Sequence, residues 1–358
     1  MTTAWTRNRI PTATRILLTA MAMLLSGTVS AGEVEFIVGG LMVAEGGTWD
    51  AKNSPLTSPF GVDFNSSGDM WIVELEGGRV QKFDAAGKLH HAGGDGSKSY
   101  KGDGGKLADA TFNGMHNCAV TPNGDLYIAD SWNHCVRKVD AVTGLISTIA
   151  GTGQKGFSGD GGPATMATFD FVMCITLNST NDVLHIADLN NHRIRAVDLK
   201  SGLVTTVAGN GKKDVPKDGD VAVQSSLVDP RAVAQDGTGK LWILERGGHA
   251  LRVVLPDGKI RTVAGTGKKG LVDGPGLTSQ FGSPKHHCID DGDNIYIADD
   301  ENAVIRRLDA KTHEVTTVLG KGQGDARIRL SHPHGVTWEN GWLYIVDMGH
   351  NRILRMKP

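Results

Sequence analysis

Residues 123–130, with the sequence NGDLYIAD, join a polar turn to a short apolar strand that ends in an acid. The strand and its acid recur along the chain as WIVE (71–74), YIAD (127–130), HIAD (185–188), WILE (242–245), YIAD (296–299) and YIVD (344–347). Successive acids are separated by 56, 58, 57, 54 and 48 residues. Repetition at this period indicates an array of similar structural units.

Each copy is flanked by further short strands. The upstream strand often follows a proline, as in PFGVDF (59–64) and PHGVTW (333–338). Downstream comes a strand with basic and alternating apolar residues, such as CVRKVD (135–140), and in most copies a fourth strand such as ISTIAGTG (146–153). Four strands joined by Gly, Asn and Asp turns are typical of a propeller blade. We therefore predict an all-β fold, a six-bladed β-propeller.

The sixth unit ends at Pro358, directly after its third strand. Residues 33–40, EVEFIVGG, show the alternation found in the fourth strands of the other units. We predict that this N-terminal strand closes the last blade, because the pairing would remove two free sheet edges. A single propeller domain would then span residues 32–358.

Composition excludes several classes of protein. Glycine accounts for 48 of the 358 residues, and each glycine inside a helix costs about 1 kcal/mol, so a helical bundle is disfavoured. The 37 basic and 39 acidic residues leave a net charge of −2, which does not suit a nucleic-acid binder. The four cysteines contain no Cys-x-x-Cys pair, so neither attached haem nor a zinc ribbon is supported.

Residues 1–31 have the pattern of a secretory signal peptide. Arg7, Arg9 and Arg15 precede a short apolar core, and small residues end at Ala31. We predict cleavage after Ala31 and a secreted or periplasmic protein, with an uncleaved membrane anchor as the alternative. The apolar run is shorter than the roughly 20 residues that a membrane span needs, so no stable span is expected after cleavage.

Several segments resemble the NHL-repeat family. They are the Pro-x-Gly-Val strands, NGDLYIAD (123–130), NNHRI (190–194) and the loop GFSGDGGPATMATF (156–169), which is also similar to repeats in teneurins. The resemblance covers nearly the whole mature chain and implies a propeller of NHL type. It says little about function, because propellers host unrelated activities.

The inner strand of each propeller blade begins at one mouth of the axial channel. Aligned on the acids, the second positions of these strands should point toward the axis, and they hold Phe60, His116, Met173, Arg231, Lys285 and His334. The following positions hold Gly61, Asn117, Cys174, Ala232, His286 and Gly335. We therefore expect Arg231, Lys285 and Asn117 to bind a ligand at this mouth.

The histidines of this mouth suggest a metal site. His116, His334 and either His286 or His287 could hold zinc or another divalent cation with an open coordination position. Pro333-His334-Gly335 resembles the metal-ligand segment of the peptidyl-hydroxyglycine amidating lyases, although Lys285 departs from that pattern. Calcium is less expected, because no first strand places a glutamate at the axis. A metal-free ligand pocket and a polar, water-filled mouth without a specific ligand remain as alternatives.

The six acids at the ends of the second strands are expected to cap their own turns. Glu74 and Glu245 replace aspartate in two blades that face each other. Their longer side chains make them additional candidates for ligand binding. Cys118, Cys174 and Cys288 fall in inner strands and are expected to be buried free thiols, with a Cys118–Cys174 disulfide as the alternative.

Two classes of function follow from these predictions. The first is an exported, metal-assisted lyase or hydrolase in which Arg231 and Lys285 hold a small anionic or polar substrate. The second is a binding module without enzymatic activity, which recognises a peptide, a glycan or a protein partner. The sequence does not choose between them.

Overall fold

The computed structural model describes residues 32–42, 49–50 and 55–358. Six antiparallel sheets of four or five strands are arranged as the blades of a ring, and each inner strand lies beside the inner strands of the two neighbouring blades. The predicted six-bladed β-propeller is thereby confirmed. The predicted signal peptide, residues 1–31, lies outside the described residues. Within the described part of the chain no helix is long and apolar enough to cross a membrane.

Blades are numbered in the order of their inner strands, and their strands run from the axis to the rim. Blade 1 contains Pro59–Phe64, Met70–Glu74, Val80–Phe83 and Leu89–Gly93; blade 2 contains Met115–Val120, Leu126–Asp130, Cys135–Val139 and Ile146–Ala150; blade 3 contains Val172–Leu177, Val183–Asp188, Arg193–Asp198 and Val204–Ala208. Blade 4 contains Pro230–Gln235, Leu241–Glu245, Ala250–Val254 and Ile260–Ala264; blade 5 contains Pro284–Ile289, Ile295–Asp299, Val304–Leu308, Glu314–Leu319 and, outermost, Gly274–Pro275; blade 6 contains Pro333–Glu339, Trp342–Asp347, Arg352–Met356 and Val34–Gly39.

Outside the blades the described regular structure is short. Leu41–Met42 pairs with Trp49–Asp50. The 3₁₀ turns are Leu107–Asp109, Ser131–Asn133, Ala164–Met166, Leu189–Asn191, Ala222–Gln224, Gly276–Thr278 and Met348–His350. The core lies between the blades, where apolar side chains of adjacent sheets pack face to face, as Ile243, Phe281 and Ile297 do between blades 4 and 5.

Blade 6 combines both ends of the described chain. Val34–Gly39 runs antiparallel to Arg352–Met356, with Val34 opposite Met356 and Gly39 opposite Arg352. Val34 is buried in one cluster with Leu354 and Met356. Glu35 forms an ion pair of 2.6 Å with Arg355 across the same two strands.

A shared hydrogen bond fixes the start of every inner strand. The acid that ends the second strand accepts a bond of 2.6–2.9 Å from the backbone N–H two positions before the inner strand. The pairs are Glu74 with Thr57, Asp130 with Asn113, Asp188 with Asp170, Glu245 with Val228, Asp299 with Gly282, and Asp347 with Ser331. The intervening residue is left-handed in all six blades: Ser58, Gly114, Phe171, Asp229, Ser283 and His332.

A buried arginine on the third strand neutralises this acid in most blades. Arg306 lies 3.0 Å from Asp299 and 2.6 Å from Asp273, a carboxylate in the loop that leads into the same blade. The corresponding arginines of the other blades are Arg137, Arg195, Arg252 and Arg352. The acids are therefore structural, but the predicted capping of their own turns is wrong: Asp130, Asp188 and Asp347 make no side-chain cap bond to the turns that follow them and instead hold the turn before the inner strand.

Glu74 and Glu245, which we considered as ligand-binding residues, belong to this motif and do not point into the axis. Both are fully buried. Glu74 contacts Arg79 at 2.6 Å because Gln81 replaces the third-strand arginine in blade 1. Glu245 contacts Arg252 at 2.8 Å. Because the oxygens of both carboxylates form hydrogen bonds and ion pairs within their own blades, the two side chains are not available to bind a ligand.

Deletion of residues 33–40 tests the closure of blade 6. The deletion should leave the Arg352–Met356 strand unpaired and expose the Leu354 cluster, lowering the free energy of unfolding by about 3 kcal/mol or more. Calorimetry should show a lower melting temperature, and a synthetic peptide of residues 33–40 should restore it. A scrambled peptide is the control. An unchanged melting temperature in the deletion variant would contradict a stabilising role for this strand.

Candidate functional site

The side chains predicted to converge at one mouth do so and close it. We call Phe60, His116, Met173, Arg231, Lys285 and His334 the mouth ring. The Phe60 ring lies 4.7 Å from the imidazole of His116 and 4.0 Å from that of His334, between centroids. Arg231 reaches across from the opposite blade, with its guanidinium carbon 5.8 Å from the centre of the Phe60 ring. Phe60 and Arg231 are each only 5% exposed, so their side chains do not line an open mouth, which was one of the alternatives.

Arg231 is a buried cation without a counter-ion. It forms no ion pair or hydrogen bond with the described residues, and its Nε atom is fully buried. Burial, with a smaller contribution from the nearby Arg246, lowers its pKa to about 9. An unpaired buried charge costs several kcal/mol, so this group favours an anion beside it.

Lys285 is the second cation of the mouth ring, and it has a partner. Its Nζ lies 3.3 Å from Asp300, a carboxylate that also contacts His332 at 3.0 Å. Burial, followed by the charge of Arg231, lowers the pKa of Lys285. Asp300 thus balances Lys285 and leaves Arg231 as the uncompensated charge.

The imidazoles of His116 and His334 each contact the backbone carbonyl two residues before them. The Nδ1 of His116 lies 2.7 Å from the carbonyl oxygen of Gly114, and that of His334 lies 3.2 Å from the carbonyl oxygen of His332. Burial, followed by the charge of Arg231, lowers both pKa values well below the usual range. Both imidazoles are therefore neutral at pH 7, with Nδ1–H donated to a carbonyl and a lone pair left on Nε2.

A second polar layer lies beneath the mouth ring. His286 reaches across the axis, and its Nε2 lies 3.3 Å from the Asn117 amide and 3.6 Å from the Cys174 thiol. Its Nδ1 lies 3.1 Å from the carbonyl oxygen of Val336. With Nδ1 donating to that carbonyl, which is nearer than the Val336 N–H at 3.5 Å, Nε2 accepts a hydrogen bond from the Asn117 amide. Burial raises the pKa of Cys174 to about 11, so the thiol stays protonated.

A cavity of about 300 Å³ lies on the axis beyond His286 and opens at the opposite face. We call it the axial well. It is lined by the far halves of all six inner strands, including Asp63, Thr176, Gln235, His286 and Thr337. Asn117 and His287 also line it, whereas no member of the mouth ring does. A larger cavity of about 550 Å³ lies between blades 4 and 5, away from every predicted site residue.

The four histidines considered as metal ligands are not brought together. His116 and His334 are separated by the ring of Phe60. His286 lies in the second layer, and both ring nitrogens of His287 are buried without a hydrogen-bond partner. Across the described residues, no group of three or more His, Cys, Asp or Glu side chains could hold a metal ion. The arrangement does not fit the three-imidazole zinc site that the sequence suggested.

All four cysteines are free. Cys118, Cys135 and Cys174 are buried, and Cys288 is half-buried. The alternative of a Cys118–Cys174 disulfide is therefore not realised, and these thiols pack as small apolar groups.

Comparison with known proteins identifies the repeat. Residues 118–139 match the family model of the NHL repeat. The protein is a β-propeller with an NHL repeat. The match covers the second half of the inner strand and the whole second and third strands of blade 2, the segment in which the repeated acid and its arginine both lie.

Two curated relatives share most of this propeller. The chain is 26% identical over 329 residues to NHL repeat-containing protein 2 of Gallus gallus, covering 83% of this chain and 44% of the relative. It is 28% identical over 269 residues to the chloroplastic protein SUPPRESSOR OF QUENCHING 1 of Arabidopsis thaliana, covering 70% of this chain and 25% of the relative. The NHL propeller therefore spans less than half of the length of either relative.

Solved structures with the same fold include proteins of different functions. An auxiliary nutrient binding protein from Bacteroides thetaiotaomicron has a TM-score of 0.65 and 16% identity, with coverage of 90% of this chain and 75% of that one. A virginiamycin B lyase from Staphylococcus aureus has a TM-score of 0.53 and 12% identity, with coverage of 90% and 100%. At these identities the likeness shows the fold alone, and both a binder and an enzyme share it.

The unpartnered imidazole of His287 should make the protein sensitive to acid. Its pKa is lowered to about 3 by burial and by His286. In the unfolded chain the His287 imidazole is protonated below about pH 6.5, whereas in the folded protein it stays neutral down to about pH 3. The free energy of unfolding therefore decreases as the pH falls from 6.5 toward 3. His287→Leu should reduce this loss and, by removing unsatisfied nitrogens, raise stability at pH 7 by about 1–3 kcal/mol.

Chemical denaturation at pH 7 and pH 4 measures both effects. The exposed His91, on the outer strand of blade 1, provides the control, because its imidazole stays in solvent. His91→Leu should leave the difference in stability between the two pH values unchanged. An equal loss of stability in His287→Leu and the wild type would contradict the assignment.

Proposed function

We propose that the protein binds a small anionic ligand, with a carboxylate or phosphate group, at the mouth ring. The buried, unpaired guanidinium of Arg231 is the observation that carries this proposal. A planar guanidinium pairs with carboxylate or phosphate through two parallel hydrogen bonds. An arriving anion would relieve the cost of the unpaired charge, and that gain supports binding.

The surroundings of Arg231 favour an anion attached to an apolar or aromatic group. Phe60 stacks near the guanidinium, and Phe171 and Trp132 lie 6.1 Å and 6.2 Å from the imidazole of His116. Arg246 lies near enough to affect the pKa of Arg231. The mouth therefore combines positive charge with aromatic faces, which suits a carboxylate on a ring better than a bare inorganic ion.

Removal of the Arg231 charge tests the binding site. Arg231→Gln should weaken the binding of benzoate and phosphate, measured by calorimetric titration, at least about tenfold. Without ligand the same variant should be at least as stable as the wild type, because the unpaired charge is gone. The exposed Arg261, on the outer strand of blade 4, gives the matched control Arg261→Gln. Equal affinity in both variants would place any anion site elsewhere.

A lyase is the second candidate, favoured by the two neutral imidazoles beside the anion site. The Nε2 lone pair of His116 or His334 could accept a proton from a bound anion while a leaving group departs with its bonding electrons from the adjacent carbon. The lowered pKa values keep both imidazoles unprotonated at neutral pH, as a base must be, but they also make each imidazole a weaker base. The shared fold of a bacterial lyase agrees with this candidate.

Substituting each histidine separately distinguishes a catalytic base from a residue that only lines the pocket. Once a turned-over anion is found, His116→Ala or His334→Ala should lower kcat at least about a hundredfold while anion affinity changes little. Full turnover in both variants would leave a binding protein as the proposed function.

A further inference from the structure

The axial well is chemically unlike the mouth ring. None of its lining residues is a lysine or an arginine. Its two histidines are neutral at pH 7, because burial lowers the pKa of His286 to about 4 and that of His287 to about 3. The only carboxylate in the lining is that of Asp63. This end of the axis therefore holds one acid and no basic side chain that is charged at pH 7.

The Asp63 carboxyl group has no basic partner among the residues that the structure describes. One of its oxygens accepts a 2.7 Å hydrogen bond from the backbone N–H of Val120. The titratable groups around it are the Cys118 thiol of blade 2 and Glu339 of blade 6, besides the two histidines of the well. None of these groups supplies a positive charge, so the carboxylate is left for a cation from outside.

The remaining wall supplies hydrogen-bonding groups rather than a coordination sphere. Thr176, Gln235 and Thr337 add hydroxyl and amide groups from blades 3, 4 and 6. A single carboxylate with scattered neutral groups is a poor site for a metal ion, which wants several converging oxygens. A volume of about 300 Å³ also exceeds what one ion would fill and is at the lower end of small-molecule pockets.

We propose that the axial well is a second ligand site, which takes a small hydroxylated amine. Its ammonium group pairs with the Asp63 carboxylate, and its hydroxyl groups bond to the threonine and amide side chains of the wall. The His286–Asn117 hydrogen bond separates this site from the mouth ring, so the two ligands do not compete for the same atoms. The site does not depend on the proposed anion binding.

Burial raises the pKa of Asp63 to about 7, and this gives the site a directional dependence on pH. The amine pairs only with the ionised carboxylate, so binding should expel a proton from Asp63 and should be stronger at pH 8 than at pH 6. A neutral polyol of the same size should show no such preference.

Calorimetric titration with matched probes tests the proposal. The probes are 1-amino-1-deoxysorbitol, which stays cationic between pH 6 and 8, its neutral counterpart sorbitol, and gluconate as the anion. The wild type should bind the amine at pH 8 at least about tenfold more tightly than either of the others. Equal affinity for amine and sorbitol would overturn the proposal without any variant being needed.

Variants separate this site from the mouth ring. Asp63→Asn should abolish the preference for the amine, whereas Asp109→Asn, at an exposed position on the rim, should retain it. Arg231→Gln should also retain it, even if that variant loses anion binding. Retention of the preference in a folded Asp63→Asn variant, or its loss in Arg231→Gln, would overturn the assignment of the amine site to the well.

Discussion

The hydrogen bond from the acid of each second strand to the turn before its inner strand organises the whole propeller. It holds a left-handed residue in place and so determines where the inner strand starts, in all six blades. The third-strand arginines stabilise these buried carboxylates, because a buried acid without a cation would be strongly disfavoured. The positions of Arg231, His116 and the rest of the mouth ring follow from this one repeated contact.

Much of the architecture was predictable, because the acid recurs at a nearly constant interval and marks every blade. Alignment on the acid also placed the mouth ring correctly, since the same hydrogen bond sets its register. The sequence did not show that the ring is closed, because closure depends on Phe60 filling the centre and on Arg231 crossing the axis. It also missed the location of the cavity. His286 lies in a deeper layer than His116 and His334 because it is the third residue of its inner strand, whereas they are the second residues of theirs.

The axis therefore has two chemically different ends rather than one open channel. Arg231 makes one end basic, and Asp63 makes the other acidic. The His286–Asn117 bond links opposite blades between them. The two ends use different inner-strand positions of the same six blades. The ligand sites that we propose there can therefore be altered separately, although the blades share one repeating pattern.

The pairing of Val34–Gly39 with Arg352–Met356 has a consequence for biosynthesis. Blades 1 to 5 each form from one continuous stretch and can fold as they leave the ribosome, but blade 6 needs two strands more than three hundred residues apart. The Val34–Gly39 strand is made first and stays unpaired until the Arg352–Met356 strand has been made. Such distant pairing is slow and leaves edges open to wrong partners. Glu35 places a negative charge on this unpaired strand, a feature that disfavours pairing between like edges, and Arg355 neutralises the charge once blade 6 closes.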